Sequence, residues 1–335
     1  MIRNEIIRSR AYARAGLVGN PSDGYFGKTI SFTFSDFYAE AVIYESSYIE
    51  LLPNRRDQAL YKDLDALEQS ISECGYYGGI RLLQASLRKF RAYCRTQGLD
   101  IEQKGFSLRY FSSIPHHVGM AGSSAIITAC FRCLMVFFGI DIPKPELANV
   151  ILSVEKEELG IGAGLQDRVA QVYQGLTYMD FDRELLETTG RGRYESLDPK
   201  MLPNVYVAYK RTLSEGSEVF HNDIRARYDA GEQKVVDAMS AWAEMAEGVR
   251  VALESGRTDE VGPLLNANFD LRRSIYRIHP DNIAMVEAAR SVGASAKFTG
   301  SGGAIVGTYA DEAMFSRLVR VLSPLGIAMF KPNLI

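Results

Sequence analysis

Apolar and polar residues alternate with a period of two over the first part of the chain and with a helical period over most of the rest. Residues 11–19 read as a strand that runs into Asn20-Pro-Ser-Asp-Gly24, a dense turn cluster. Residues 29–34 alternate strictly, and residues 38–44 read as their hairpin partner. Tyr76-Tyr-Gly-Gly79 breaks the chain before an amphipathic helix. That helix sets Leu83, Leu87, Phe90 and Cys94 on one face, with Arg88, Lys89, Arg91 and Arg95 on its solvated side. A strand-like segment (106–110), a loop and a helical run (125–138) follow. Residues 146–159 read as a helix stopped by Gly160-Ile-Gly-Ala-Gly164, and 176–181 as a strand. The polar stretch 182–203, with Gly190, Gly192, Pro199 and Pro203, is read as the domain boundary, dividing the chain into 1–190 and 191–335. Beyond it come strand 205–209, helices 216–228, 232–255, 263–275 and 283–292, strand 305–309, helix 311–322 and strand 326–330. This half reads as an α+β sandwich.

The loop between 106–110 and 125–138 is Ile114-Pro-His-His-Val-Gly-Met-Ala-Gly-Ser-Ser-Ala125. Glycine lets backbone approach a ligand closely and take positive φ. A helix beginning just after such a loop aims its free N–H groups and positive dipole end at whatever the loop holds. Backbone amides, two serines and a helix N-terminus suit phosphate, although no Gly-Lys-Ser/Thr ends the loop as in a Walker A sequence. Read alone, it is either a phosphate cradle or an ordinary strand-to-helix turn.

Composition narrows the classes. The chain has 335 residues, 47% of them hydrophobic, which suits one large or two medium globular domains. A net charge of −3 gives no polyanion-binding surface, so nucleic acid is not an expected partner. Residues 1–10 are charged and polar rather than a leader, and no apolar run nears the roughly 20 residues that span a bilayer. A cytoplasmic protein off the membrane is expected, as a monomer or homodimer. Cys74, Cys94, Cys130 and Cys133 read as reduced thiols. Cys130 and Cys133 lie within a helical run with no second pair to make a zinc site, so packing is their expected role.

Phosphoryl transfer needs a phosphate cradle, a magnesium ligand, a group that orients or deprotonates the acceptor hydroxyl, and a cation over the developing charge. Glu155 lies on the helix after the loop's helix, and Asp167 follows beyond the glycine-rich turn. Two carboxylates so placed can converge, one on magnesium and the other on a proton. They can equally be surface residues, since Glu157 and Glu158 stand beside Glu155. Arg14, in the first strand, is either an exposed arginine or the catalytic cation. Lys297-Phe-Thr-Gly-Ser-Gly-Gly303 is a second glycine-rich loop, far along the chain.

These segments resemble, in order, the three motifs of the GHMP sugar and isoprenoid kinases. Residues 11–23 resemble the first motif, 115–125 the ATP-phosphate loop and 297–304 the third. The strings at 11–23, 75–83, 163–173, 268–273 and 297–304 closely resemble the members that act on glucuronate. The resemblance implies a two-domain GHMP kinase fold, with an N-terminal ribosomal-S5-like α/β domain and a C-terminal ferredoxin-like α+β domain. It implies transfer from ATP, with Mg2+, to the anomeric hydroxyl of D-glucuronate, in carbohydrate metabolism leading to UDP-glucuronate. By position it makes Asp167 the base and Glu155 the magnesium ligand. Arg14 would stabilise the transferring phosphoryl group, and Asn20 and Asp23 would hold sugar hydroxyls. Gly119, Met120, Ala121, Gly122, Ser123, Ser124 and Ala125 would hold ATP, with the 297–303 loop, Gly302 included, shaping the site.

The chain departs from the family pattern in one place. Gly-Leu-Gly-Ser-Ser-Ala is usual, and here the run is Gly119-Met-Ala-Gly-Ser-Ser-Ala125. Aligned on Gly119, the magnesium-ligating serine is Ser123, which is favoured. Aligned on the serine pair, it is Ser124. Asn20 replaces the glutamate of galactose-type members, removing a negative charge from the sugar pocket. A uronate carboxylate calls for a cation, and bidentate arginine is the natural one. Arg168, Arg272 and Arg273 are the candidates, with Arg81 and Lys28 behind them. A kinase for another sugar (galacturonate, arabinose or galactose) and a non-catalytic sugar-binding regulator are the alternatives.

Overall fold

The computed structural model describes residues 5–54, 57, 63–64, 78–210 and 218–335. Cys74 and Tyr76-Tyr77, which figure in the sequence reading, lie outside them. The chain forms two compact units. The first comprises Met1–Ala13, Phe37–His116 and Ala121–Val172, and the second Arg14–Asp36, His117–Met120 and Tyr173–Ile335.

Strands β1 (Ile7–Val18) and β2 (Lys28–Glu45) pair with each other. The expected hairpin over 29–44 is instead the single strand β2, eighteen residues long. Ser35-Asp36 contains no glycine or proline to reverse the chain, and the C-terminal tail keeps it extended. Ser35 N–H donates to the Asn333 carbonyl at 2.9 Å, and Asp36 accepts from the Asn333 backbone and side chain, both at 2.8 Å.

In the first unit, β4 (Phe106–Ser112) runs antiparallel to the later half of β2, with Ala41 opposite Tyr110, and parallel to β3 (Ile49–Leu52). Helix α1 (Gly79–Thr96) buries Leu82, Leu83, Ser86, Phe90 and Cys94, and packs on α2 (Gly122–Phe138) through Phe90 and Phe131. Helix α2 is apolar nearly all round and is correspondingly buried. Cys130 and Cys133 lie inside it as free buried thiols, so packing is what they do here. Helix α3 (Lys144–Ser153) does not run on to 159 as a regular helix. It gives way to a π-turn, Val154–Glu158, before α4 (Leu165–Tyr173).

In the second unit, β5 (Leu176–Asp180) pairs antiparallel with the first half of β2 and with β6 (Arg193–Leu197). The polar stretch 182–203 is therefore structured, holding α5 (Arg183–Thr189), capped by Asp182, as well as β6. A second, antiparallel sheet has β7 (Val205–Lys210) between β9 (Ala304–Thr308) and β10 (Ile327–Phe330), with the short β8 (Lys297–Phe298) on the far side of β9. Its core is Phe269, Met285, Phe298, Leu318 and Leu322. Helices α6 (Glu218–Asp229), α7 (Gln233–Glu254), α8 (Val261–Ile275), α9 (Pro280–Arg290) and α10 (Glu312–Leu322) complete the unit. Trp242, on α7 as its helical spacing predicts, is fully buried. No helix among the described residues is long and apolar enough to cross a membrane.

Candidate active site

The loop before α2 is built on alternating backbone hands. His117, Gly119 and Ala121 have φ of 53°, 67° and 62°. Alternation of this kind turns consecutive N–H groups toward one side, which makes an anion-binding concavity. Helix α2 starts directly after Ala121 and adds its own N–H groups and dipole. Gln171 holds the junction, its Nε2 donating to the Ala121 carbonyl at 2.8 Å and to the Tyr12 carbonyl at 3.3 Å. Ala121 occupies a left-handed conformation that costs a side chain about 1–2 kcal/mol. Ala121→Gly is therefore expected to raise stability to urea by up to about 1 kcal/mol, glycine's extra chain entropy offsetting the rest. A loss of stability in that denaturation curve would show that the methyl group is needed more than the strain is felt.

The two serines behave differently. Ser123 Oγ donates to Glu155 Oε1 at 2.7 Å. Ser124 is fully buried, and its Oγ turns back to the Ala121 carbonyl at 3.2 Å. Glu155 stands in the π-turn, where the wider helical turn redirects side chains. Its Oε2 accepts from both Nε and Nη2 of Arg168, whose Nη1 donates to the Gly164 carbonyl at 2.9 Å. Asp167, on the first turn of α4, lies 3.6 Å from Arg168 Nη1. Its side chain is 24% exposed, against 1% for Glu155 and 4% for Arg168. One carboxylate is thus sealed and charge-compensated, and the other is open to a substrate.

Ser123 Oγ and Glu155 Oε1 also fit a magnesium ion. Both are oxygen donors, and their 2.7 Å separation is near the roughly 2.9 Å between neighbouring corners of an octahedron with 2.0–2.1 Å bonds. Among the described residues no three His, Cys, Asp or Glu side chains form a metal cage.

In the second unit the two glycine loops touch backbone to backbone. A Cβ on Gly300 would stand 2.6 Å from the Gly119 carbonyl oxygen, so only glycine allows the approach. Arg14 is buried, not exposed, and its Nη1 donates to the carbonyls of Gly119 and Thr299. Arg272 is buried over Tyr276 and Phe298, donating to the carbonyls of Gly300 at 2.8 Å and Ser301 at 3.4 Å. Its Nε has no hydrogen-bond partner among the described residues. Lys297 is buried with them. Its Nζ donates to the Gly16 carbonyl and Asn20 Oδ1, each at 2.6 Å, and to the Phe298 carbonyl at 2.7 Å. Burial, with Arg272 and Arg14 adding to it, pushes the Lys297 ammonium well below the usual lysine range. Burial lowers Arg272 as well, opposed by Tyr276 and then by Asp23, which is half-buried in the turn Ser22–Tyr25. Neither Arg272 nor Lys297 is paired to a carboxylate among the described residues.

Asn20 is buried with its side-chain oxygen on Lys297. Met120 and Ala125 are buried beside the loop, and Gly302 has φ of 143°, open to glycine alone. Arg273 is exposed and pairs with Glu287. Arg168 is committed to Glu155. Lys28 pairs with Glu247 and Asp180, and Arg81 is exposed at the start of α1. The sequence alone assigns no individual role to Lys297, Asn268 or Gln171. Asn268 ties the turn down, taking the Gly19 N–H on Oδ1 at 2.7 Å and giving Nδ2 to the Asn20 carbonyl at 3.3 Å. All three lie inside or beside the motif strings, which was the signal available, but nothing local distinguishes them from surface residues.

The family model of the GHMP kinases N terminal domain matches residues 81–175, and that of the GHMP kinases C terminal matches 249–323. Probable glucuronokinase 2 of Arabidopsis thaliana is 43% identical over 310 residues, 90% of this chain and 84% of the relative. Glucuronokinase 1 of the same plant is 42% identical over 306 residues, with the same coverage. Among solved structures, Lactococcus lactis galactokinase complexed with galactose superimposes with a TM-score of 0.79 at 16% identity, over 98% of this chain and 94% of that one. The likeness to galactokinase speaks for the fold, and the likeness to the plant proteins for a finer placement: the chain belongs to the GHMP kinase family and groups there with the glucuronokinases.

Proposed function

We propose that the protein transfers the γ-phosphoryl group of ATP to the C1 hydroxyl of D-glucuronate, giving glucuronate 1-phosphate and ADP in the cytoplasm. The similarity to two proteins named as glucuronokinases supports the reaction. The observation that carries the substrate class is the buried cluster of Arg14, Arg272 and Lys297, in which Arg272 and Lys297 have no carboxylate hydrogen-bonded or ion-paired to them among the described residues. A buried uncompensated cation is costly, and an anionic substrate offsets that cost where a neutral sugar does not.

The loop from Gly119 to Ala125 cradles the ATP phosphates with backbone N–H groups. Ser123 and Glu155 would hold Mg2+, which when bound neutralises charge on those phosphates. Ser123 is assigned ahead of Ser124 because its hydroxyl is the one beside Glu155. Asp167 accepts the proton of the attacking hydroxyl, and its exposure makes it reachable. Arg14 stabilises charge on the transferring group. Asn20, Asp23 and Gly302 line the sugar. Arg272 replaces Arg168 and Arg273 as the cation for the uronate carboxylate, since those two are engaged with Glu155 and Glu287.

ADP release from magnesium-ATP, measured across a panel of sugars and uronic acids, is expected to be fastest with glucuronate. Omitting magnesium should abolish it. Equal or better turnover of galactose or galacturonate would overturn the substrate while leaving the kinase class intact.

A further inference from the structure

The three acceptors around Lys297 define the orientation of a neighbouring amide. Gly16 and Phe298 offer carbonyl oxygens, which only accept. The third partner is the side chain of Asn20, whose amide has a donor end and an acceptor end. The three acceptors at 2.6–2.7 Å match the three N–H groups of the charged form, which has no lone pair and so takes the oxygen of the amide. The backbone on either side of Asn20 is pinned by Asn268, which takes the Gly19 N–H and gives to the Asn20 carbonyl. The Asn20 Nδ2 points away from Lys297 and makes no hydrogen bond among the described residues.

We propose that Lys297 is a positioning residue that holds the Asn20 amide with its N–H groups toward the substrate, and that this donor favours an anionic sugar over a neutral one. The inference rests on the uronate reading above. Its chemistry is one-sided. A hydroxyl both donates and accepts, so it pairs with a donor or an acceptor at position 20 equally well. A carboxylate only accepts, so it requires the donor. Binding of an anion also favours the charged form of Lys297, the form that presents all three N–H groups.

Asn20→Asp tests this with almost no change of shape. The inner oxygen still accepts from Lys297, now as an ion pair, so the midpoint of urea unfolding should hold or rise. The outer group becomes an acceptor. The KM for glucuronate should rise at least about tenfold, the loss of one hydrogen bond to a charged group, with the KM for ATP unchanged. The ratio of kcat/KM for glucuronate to that for galactose should fall about tenfold or more. An unchanged ratio, or a lowered unfolding midpoint, would overturn the proposal. Lys297→Met, which frees the amide, should lower the same ratio without moving the KM for ATP, and a ratio kept in that variant would likewise overturn it. Wild-type protein assayed alongside separates the two readings. No preference for glucuronate in the wild type sinks the substrate assignment itself. A preference kept in wild type and variants alike sinks only the role of Lys297 and Asn20.

Discussion

Replacing Asp167 by asparagine is expected to lower kcat about 10³-fold, with ATP binding retained. A positioned general base contributes 10²–10⁴ in rate, and about 10³ corresponds to about 4 kcal/mol of barrier. The substitution is close to isosteric and removes only the ability to take a proton. It should not unfold the protein, because Arg168 keeps its partnership with Glu155 and Asp167 is partly exposed already. Steady-state ADP release and equilibrium titration with a nucleotide analogue make the two measurements. A kcat within tenfold of wild type would remove Asp167 from the chemistry. Weakened nucleotide binding with unchanged kcat would move it to the phosphate site instead.

The sequence made the elements and the motifs readable because both are local. Period-two and helical patterns name strands and helices, and glycine strings name loops. What it could not supply were contacts set by distant residues. Nothing around Ser35-Asp36 announces that Asn333 will satisfy both and keep β2 straight through the expected hairpin. The π-turn at Val154–Glu158 differs from a helix by one residue per turn, below what an apolar pattern resolves. The serine pair was ambiguous in alignment because both residues are serine. Geometry separates them, since one hydroxyl meets Glu155 and the other turns back to Ala121. The arginines show the same limit. Arg14, Arg168, Arg272 and Arg273 look alike in a string, yet Arg14 and Arg272 are buried on carbonyls, one is buried on a carboxylate and one sits on the surface. Lys297 reads as the polar first residue of a short strand, and only the packing of Gly16, Asn20 and Phe298 around it makes it a buried ammonium.

Arg168→Met is expected to destabilise the protein by about 3–5 kcal/mol, the usual consequence of stripping one partner from a buried ion pair. Glu155 is then left in the interior with one oxygen on Ser123 and the other stripped of the guanidinium that held it, and the Gly164 carbonyl loses its donor as well. A substrate-binding arginine predicts otherwise: the KM for glucuronate should rise while unfolding in urea stays where it was. The urea midpoint therefore decides between the role that the position after the base suggests and the role that the buried pair imposes. Adding Glu155→Gln to Arg168→Met removes the stranded charge, and the double variant should regain a good part of the lost stability. On the magnesium-holding role proposed above for Glu155 it should stay inactive, because a glutamine is not an anionic ligand. Recovery of stability without recovery of rate would separate the two functions of Glu155, one as the partner that Arg168 needs for folding and one as the oxygen beside Ser123. If the double variant were no more stable than the single one, the cost would lie in lost packing around the arginine stem rather than in the unpaired charge.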